Sequence, residues 1–203
     1  MRLVLIVTIL VLAQATNLFA YGTGLTAYPL MSEKRLVTTE FTGIVSDHGG
    51  VGIQTRYMQK INNVTSVDAG IGLAGGDRSG CAFAGIDYEI FPDYKKQPRV
   101  SIKSSFEYAK EFGLPYNNLK VAPVVSKGFS FWGHEGFPYV TMPIAISLEA
   151  EHKTYETTMN LTTGIAGKIP YEGYTHLTGN IEAVFNLKDS YSAIFMGVSY
   201  PLN

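Results

Sequence analysis

The chain has 203 residues, 46% of them hydrophobic but only 16% charged, and a formal net charge of −1. That length suits one domain, the near-neutral balance gives no basic footprint for nucleic acid, and a lone cysteine, Cys81, rules out an intramolecular disulfide. Ordinary soluble domains carry roughly 25% charged residues, so something other than charge must keep most of this surface content, and lipid is the simplest candidate.

The chain opens MRLVLIVTILVLAQATNLFA. One basic residue (Arg2), an apolar run from Leu3 to Leu12 and then small residues follow the layout of a secretory signal peptide, with cleavage after Ala15 or Ala20. The run is short for a transmembrane helix, and no Cys follows it to carry a lipid anchor. Residues 1–20 are read as the signal and 21–203 as a single domain. Losing Arg2 leaves the mature charge near −2.

Beyond the signal, alternating apolar and polar residues recur between clusters of Gly, Asn, Asp and Pro, which is the period of strands. Leu36 to Val45 sets Val37, Thr39, Phe41, Gly43 and Val45 against Glu40. Ser46 to Gly50 turns the chain, and Val51 to Ile61 sets Val51, Ile53, Thr55 and Tyr57 against Gln54, Arg56 and Lys60. Asn62-Asn63 marks a tight hairpin. Thr65 to Gly75 and Ala82 to Phe91 follow, with Asp68 and Asp87 on their polar faces. Val100 to Lys110 carries Val100, Ile102, Phe106 and Tyr108 opposite Lys103 and Glu107. Leu119 to Phe131 is less regular and contains Pro123; Tyr139 to Glu151 contains Pro143 and sets Ile144, Ile146 and Leu148 against Ser147 and Glu149. Tyr155 to Ile169, Thr175 to Leu187 and Ser192 to Leu202 complete the series. The two prolines each remove a ladder hydrogen bond and predict a paired bulge that bends the sheet, with a lateral opening as the functional alternative.

About ten strands of roughly 9–13 residues exceed the usual soluble length and match tilted membrane strands. The expected fold is all-β: a closed antiparallel up-and-down transmembrane β-barrel of about ten strands, eight being possible. Closure is required because an open edge in hydrocarbon would strand backbone donors and acceptors. The polar faces carry Glu40, Arg56, Asp68, Asp87, Lys103, Glu107, Glu149 and Glu182, while the opposing faces are nearly free of charge. Those eight residues are the expected charge network of a polar lumen. Aromatic residues near strand ends, among them Tyr57, Tyr88, Phe112, Tyr116, Trp132, Tyr139 and Tyr200, predict interfacial girdles.

In this pattern the chain resembles the small outer-membrane β-barrels of Gram-negative bacteria over essentially its whole mature length. The resemblance implies an outer-membrane location, outer-membrane lipids around the barrel, and the barrel assembly machinery as a partner. Those proteins commonly end on an aromatic residue, whereas this chain ends Tyr200-Pro201-Leu202-Asn203.

His176, Thr178, Asn180, Glu182 and Asn186 form one polar row. A His, a hydroxyl and a carboxylate are the ingredients of a nucleophilic triad, and His176-Leu177-Thr178 is similar in spacing to the His-x-Ser pair of outer-membrane lipid A deacylases, with Thr in place of Ser. His176, Thr178 and Glu182 are thus candidate catalytic residues, with a plain hydrogen-bond network as the alternative. Asp47-His48 and His134-Glu135 lack the spacing of a metal site, and the glycines around Gly70, Gly72 and Gly75 precede no helix that could receive a phosphate. No cofactor or metal is expected. The functional expectations are a structural or interaction role with a charge-paired lumen, then a narrow porin-like pore, then a lipid-modifying enzyme. A soluble periplasmic lipocalin-like barrel is the reading with the faces reversed.

Overall fold

A computed structural model describes residues 34–46, 50–75, 78–111, 114–131 and 134–202, without the side chains at 78, 79, 111 and 131. The signal segment, Asp47-His48, Phe112 and Trp132-Gly133 lie outside the described residues. The described chain is strands and turns with no helix. Its elements are β1 (Arg35–Ile44), β2 (Gly50–Lys60), β3 (Thr65–Ala74), β4 (Arg78–Phe91), β5 (Arg99–Glu111), β6 (Leu114–Ser126), β7 (Phe129–Phe131), β8 (His134–Thr141), β9 (Ile144–Glu149), β10 (Tyr155–Lys168), β11 (Thr178–Lys188) and β12 (Ala193–Leu202).

These elements build ten staves. β7 prolongs β6 past Lys127-Gly128, and β8 and β9 are one stave interrupted at Met142-Pro143. Each stave pairs antiparallel with its chain neighbours, and β1 pairs with β12 from Arg35↔Leu202 to Ile44↔Ala193, which closes the barrel. Among the described residues the fold is therefore a closed ten-stranded up-and-down barrel, and the eight-strand alternative is set aside. Closure leaves no sheet edge, the one arrangement of strands that can satisfy its backbone without water.

The two prolines act differently from the paired bulge expected of them. Val124 lies opposite Thr141 and Val121 opposite Ile144, so the register runs unbroken across the gap. The same holds toward β10, where Thr162 faces Thr141 and Met159 faces Ile144. No residue is inserted. Pro143 lacks an N–H, so the ladder lapses there, but its carbonyl still accepts from Asn160 N at 3.0 Å. Register shifts do occur elsewhere, at Arg78/Gly80 and Glu89/Phe91 between β4 and β5 and at Met159/Asn160 between β10 and β11.

Alternation sorts the side chains as strand geometry demands. Phe41, Ile71 and Leu73 point outward, with 64%, 67% and 69% of their surface exposed, whereas their neighbours Glu40, Thr42 and Gly72 point in. In β5, Ile102, Phe106 and Tyr108 are outside while Ser101, Lys103 and Glu107 are buried. The hydrophobic exterior and polar interior invert the pattern of a water-soluble barrel. Two residues depart from the girdle expected of them: Tyr139 is buried in the interior, and Tyr116 shares the inward parity of Asn118. The stave of Tyr139 begins five residues earlier, at His134, so this tyrosine is not at a strand end.

Candidate functional site

Among the described residues, buried polar chemistry is concentrated in the interior. Its centre is a chain of ionic contacts running diagonally across β1, β2, β3 and β5. Glu40 Oε2 accepts from Gln54 Nε2 at 2.5 Å and from Arg56 Nη2 at 3.3 Å, and Glu40 Oε1 accepts from Asn180 Nδ2 at 3.3 Å. Arg56 Nη1 reaches Asp68 Oδ2 at 3.5 Å, and Lys103 Nζ reaches Asp68 Oδ1 at 2.9 Å. Two glycines make these contacts possible. A Cβ at Gly85, on the strand between Asp68 and Lys103, would meet Asp68 Oδ1 at 2.9 Å. A Cβ at Gly70 would collide with the Phe83 ring, and that ring lies 5.1 Å beneath the Arg56 guanidinium.

Further pairs complete the filling. Lys120 is paired with Glu107, and the Tyr139 hydroxyl donates to Glu182 Oε2. The hydroxyls of Thr38 and Ser199 share a hydrogen bond of 2.7 Å across the β1–β12 seam. Nearer the end where β1 begins, Arg99 donates through Nε to Glu89 at 2.7 Å and through Nη2 to Asp87 at 2.5 Å. Small apolar clusters flank the ions: Leu36 with Met58 toward that end, and Ile44, Val184, Ala193 and Phe195 toward the other. Cys81 packs with Phe83 and Ala109 inside the barrel.

Of the eight residues expected in the charge network, the structure joins Glu40, Arg56, Asp68 and Lys103 directly. Glu107, Glu182 and Asp87 also lie inside, each with a different partner. Glu149 keeps the inward parity but stands at the rim: opposite Tyr116 at the end of β9, it accepts from the backbone N of His152 at 3.2 Å and pairs with the His152 ring, holding the following turn. Sequence reasoning missed Arg99, Glu89, Lys120 and Tyr139. Arg99 and Glu89 fall on the inward parity of their strands, which was the available signal; Lys120 was hidden by the irregular reading around Pro123.

The candidate triad is not assembled. β11 begins only at Thr178, and residues 169–177 form a connection closed by Ile169 N to Leu177 O at 3.1 Å and Leu177 N to Tyr174 O at 2.9 Å. His176 is thereby exposed, its ring edge-on to Tyr200 at 5.9 Å between centroids, whereas Thr178 and Glu182 are buried. Asn186 is exposed at the far end of the same strand, its side-chain Oδ1 accepting from Ser190 N at 3.2 Å. A base that does not reach its nucleophile cannot take its proton. Among the described residues no three His, Cys, Asp or Glu side chains cluster to hold a metal ion.

No family model matches the chain, and no curated protein does. Among solved structures, the chain is similar to Ail, the attachment invasion locus protein of Yersinia pestis, determined with the heparin analogue sucrose octasulfate. The identity is 12%, the TM-score 0.30, and the likeness covers 85% of this chain and 100% of that one. The architecture on its own evidence, ten antiparallel staves with an apolar outside and an ionic inside, is the arrangement of a membrane-spanning β-barrel.

Proposed function

We propose that the protein is an outer-membrane barrel with a closed, non-conducting lumen, and that its role is structural or one of surface interaction. The observation that carries the reading is the burial of the mid-lumen ions. Arg56 and Glu40 are 0% exposed, Gln54 and Glu182 1%, and Glu107 2%. A water-filled pore would wet the side chains that line it, and charges lining a conducting path are the means by which it selects ions. Here they are spent on one another. The exterior supports the membrane half of the reading, since leaving a large aliphatic or aromatic side chain in water rather than burying it costs about 1.5–3 kcal/mol, and lipid removes that cost for the whole outer band. Export by the amino-terminal segment and insertion by the barrel assembly machinery complete the proposal.

Two measurements test it. Protein extracted from fractionated membranes should be enriched in the outer membrane and migrate differently unheated and boiled; recovery as a soluble periplasmic protein with no such shift would overturn the membrane reading. Reconstituted in a planar bilayer, it should give no discrete conductance steps, and steady steps in the folded protein would replace the closed lumen with a pore. A variant separates the two faces. Ile71→Lys places a charge on the outer band and should cost about 2–4 kcal/mol in lipid if the site lies near the midplane, where a barrel folding in water would barely respond.

A further inference from the structure

The two rims of the barrel differ in a way the lumen does not explain. At the rim where Arg35 pairs with Leu202, the connections include seven residues at 92–98 and nine at 169–177; at the other rim none exceeds five. The first rim carries Lys34, Arg35, Lys60, Lys95, Lys96 and Lys168, and among the described residues none of the six has a carboxylate partner. Among the described residues Glu135 and Glu172 are its exposed acids, while Asp93 is taken by Lys127 and Glu89 by Arg99. The opposite rim shows the reverse balance: Lys110, Lys153 and Lys188 against Glu149, Glu151, Glu156 and Asp189.

The basic rim is organised. Tyr94 and Gln97 exchange backbone hydrogen bonds of 3.2 and 2.9 Å, and Lys95 between them has a φ of 52°. Lys127 Nζ donates to the carbonyls of Lys95 at 2.7 Å and Gln97 at 3.3 Å, while Gly128 N donates to Asp93 Oδ2 at 2.6 Å. This ties the 92–98 connection to the hinge between β6 and β7 and leaves the Lys95 and Lys96 ammonium groups facing outward, with Lys95 Nζ 5.0 Å from the centre of the Tyr94 ring. Exposed Tyr57, Tyr88, Tyr94, Tyr171, Tyr174 and Tyr200 stand at the same rim, the rings of Tyr171 and Tyr174 6.0 Å apart.

We propose that this rim is a docking surface for anionic glycerophospholipid headgroups of the phosphatidylglycerol class, which hold the barrel at that leaflet. The inference rests on the membrane reading above and adds the lipid partner. Aromatic rings that sit at headgroup depth beside unpaired ammonium groups match a layer of phosphodiesters at the membrane interface. The bases come from the start of β1 and the residue before it, from β2, from the β4–β5 connection and from β10, so they are spread around the barrel rather than lining a cleft. A ring of separated charges fits a leaflet of many headgroups better than one soluble polyanion.

The test uses the mature barrel refolded into vesicles of phosphatidylcholine and phosphatidylglycerol in equal amounts, with the co-retained lipid identified by native mass spectrometry. Phosphatidylglycerol should be enriched over its mole fraction, and the enrichment should shrink as salt rises. The variant Lys95→Gln/Lys96→Gln/Lys168→Gln should lose at least about fivefold of that preference, on the scale of one surface base per headgroup. The variant Lys110→Gln/Lys153→Gln/Lys188→Gln at the other rim should keep it. A folded, heat-shifting barrel with no preference, or with equal losses from both triple variants, overturns the proposal while leaving the membrane reading intact. Failure of the wild-type chain to insert into any vesicle overturns both, and retention of a free polyanion such as heparin in place of lipid assigns the rim to a soluble partner.

Discussion

The barrel has two unlike inner walls. Along β1 to β6 the inward positions hold Glu40, Arg56, Asp68, Asp87, Glu89, Arg99, Lys103, Glu107 and Lys120; along β8 to β12 they hold Thr141, Thr162, Thr178, Asn180, Tyr139 and Phe195, with Glu182 as the one buried charge among the described residues. The acids and bases of the first wall are mutual partners, although the buried Gln54 Oε1 and Asp87 Oδ1 are left without a hydrogen bond among the described residues. The second is a largely neutral wall of hydroxyls, amides and rings that meets the ions through Asn180 on Glu40 and brings the Glu182 carboxylate within electrostatic reach of Arg56. The difference teaches that closing a lumen does not require charge on every stave. One ionic wall and one packed wall fill it, and their burial costs are unlike. Buried ions are costly unless each keeps its partner, whereas neutral polar groups need only a hydrogen bond.

The strongest way to break the comparison is at Arg56, which alone bridges Glu40 and Asp68. Arg56→Ala takes the base from Glu40, which keeps the neutral donors Gln54 and Asn180, and leaves Asp68 to Lys103; it should destabilise the folded barrel by about 3–5 kcal/mol, read from urea unfolding in lipid vesicles. A loss below ~1 kcal/mol would mean that water already reaches the pair, and the lumen would have to be redrawn as wet. On the other wall, Tyr139→Phe removes only the donor to Glu182. The expected loss is about 1–3 kcal/mol, the cost of an acceptor left without that partner. If Tyr139→Phe proved the more damaging of the two, Glu182 rather than Arg56 would be the centre of the plug.

How much of this was legible in the sequence follows from what alternation encodes. Parity placed Glu40, Arg56, Asp68 and Lys103 on the inside because each sits in a clean period-two run. Parity is silent about size, so Phe83 and Phe195, large apolar groups on the polar face, gave no signal that they would pack inside the lumen. For Phe83 a glycine was the available clue: Gly70, its cross-strand partner on an inward position, marks where the ring needs the volume. Strand ends were the weak point. His176 was read into a strand that starts two residues later, and Glu149 into the mid-lumen network although it closes its strand at the rim. A side chain one turn outside the ladder obeys local hydrogen bonding, not the alternation that precedes or follows it.

The smallest expected effect lies at that same boundary and shows where the ionic interior stops. His152 is fully exposed in the turn after β9, and the hydrogen bond to Glu149, aided by its charge, holds the imidazole pKa above its usual value. The folded chain thus binds this proton more tightly than the unfolded one. Any stability from the pair is complete below the unfolded imidazole pKa and fades as pH rises through the raised folded value. Glu149→Gln should return the His152 titration, followed by its ring proton shifts in NMR, toward the value of about 6.5 ordinary for histidine. It should leave the unfolding midpoint of the barrel almost unmoved, because an exposed pair is screened by water and salt. A large fall in stability would instead draw Glu149 back into the network of the lumen, and the ionic wall would extend past β6 onto the stave that the neutral wall now claims.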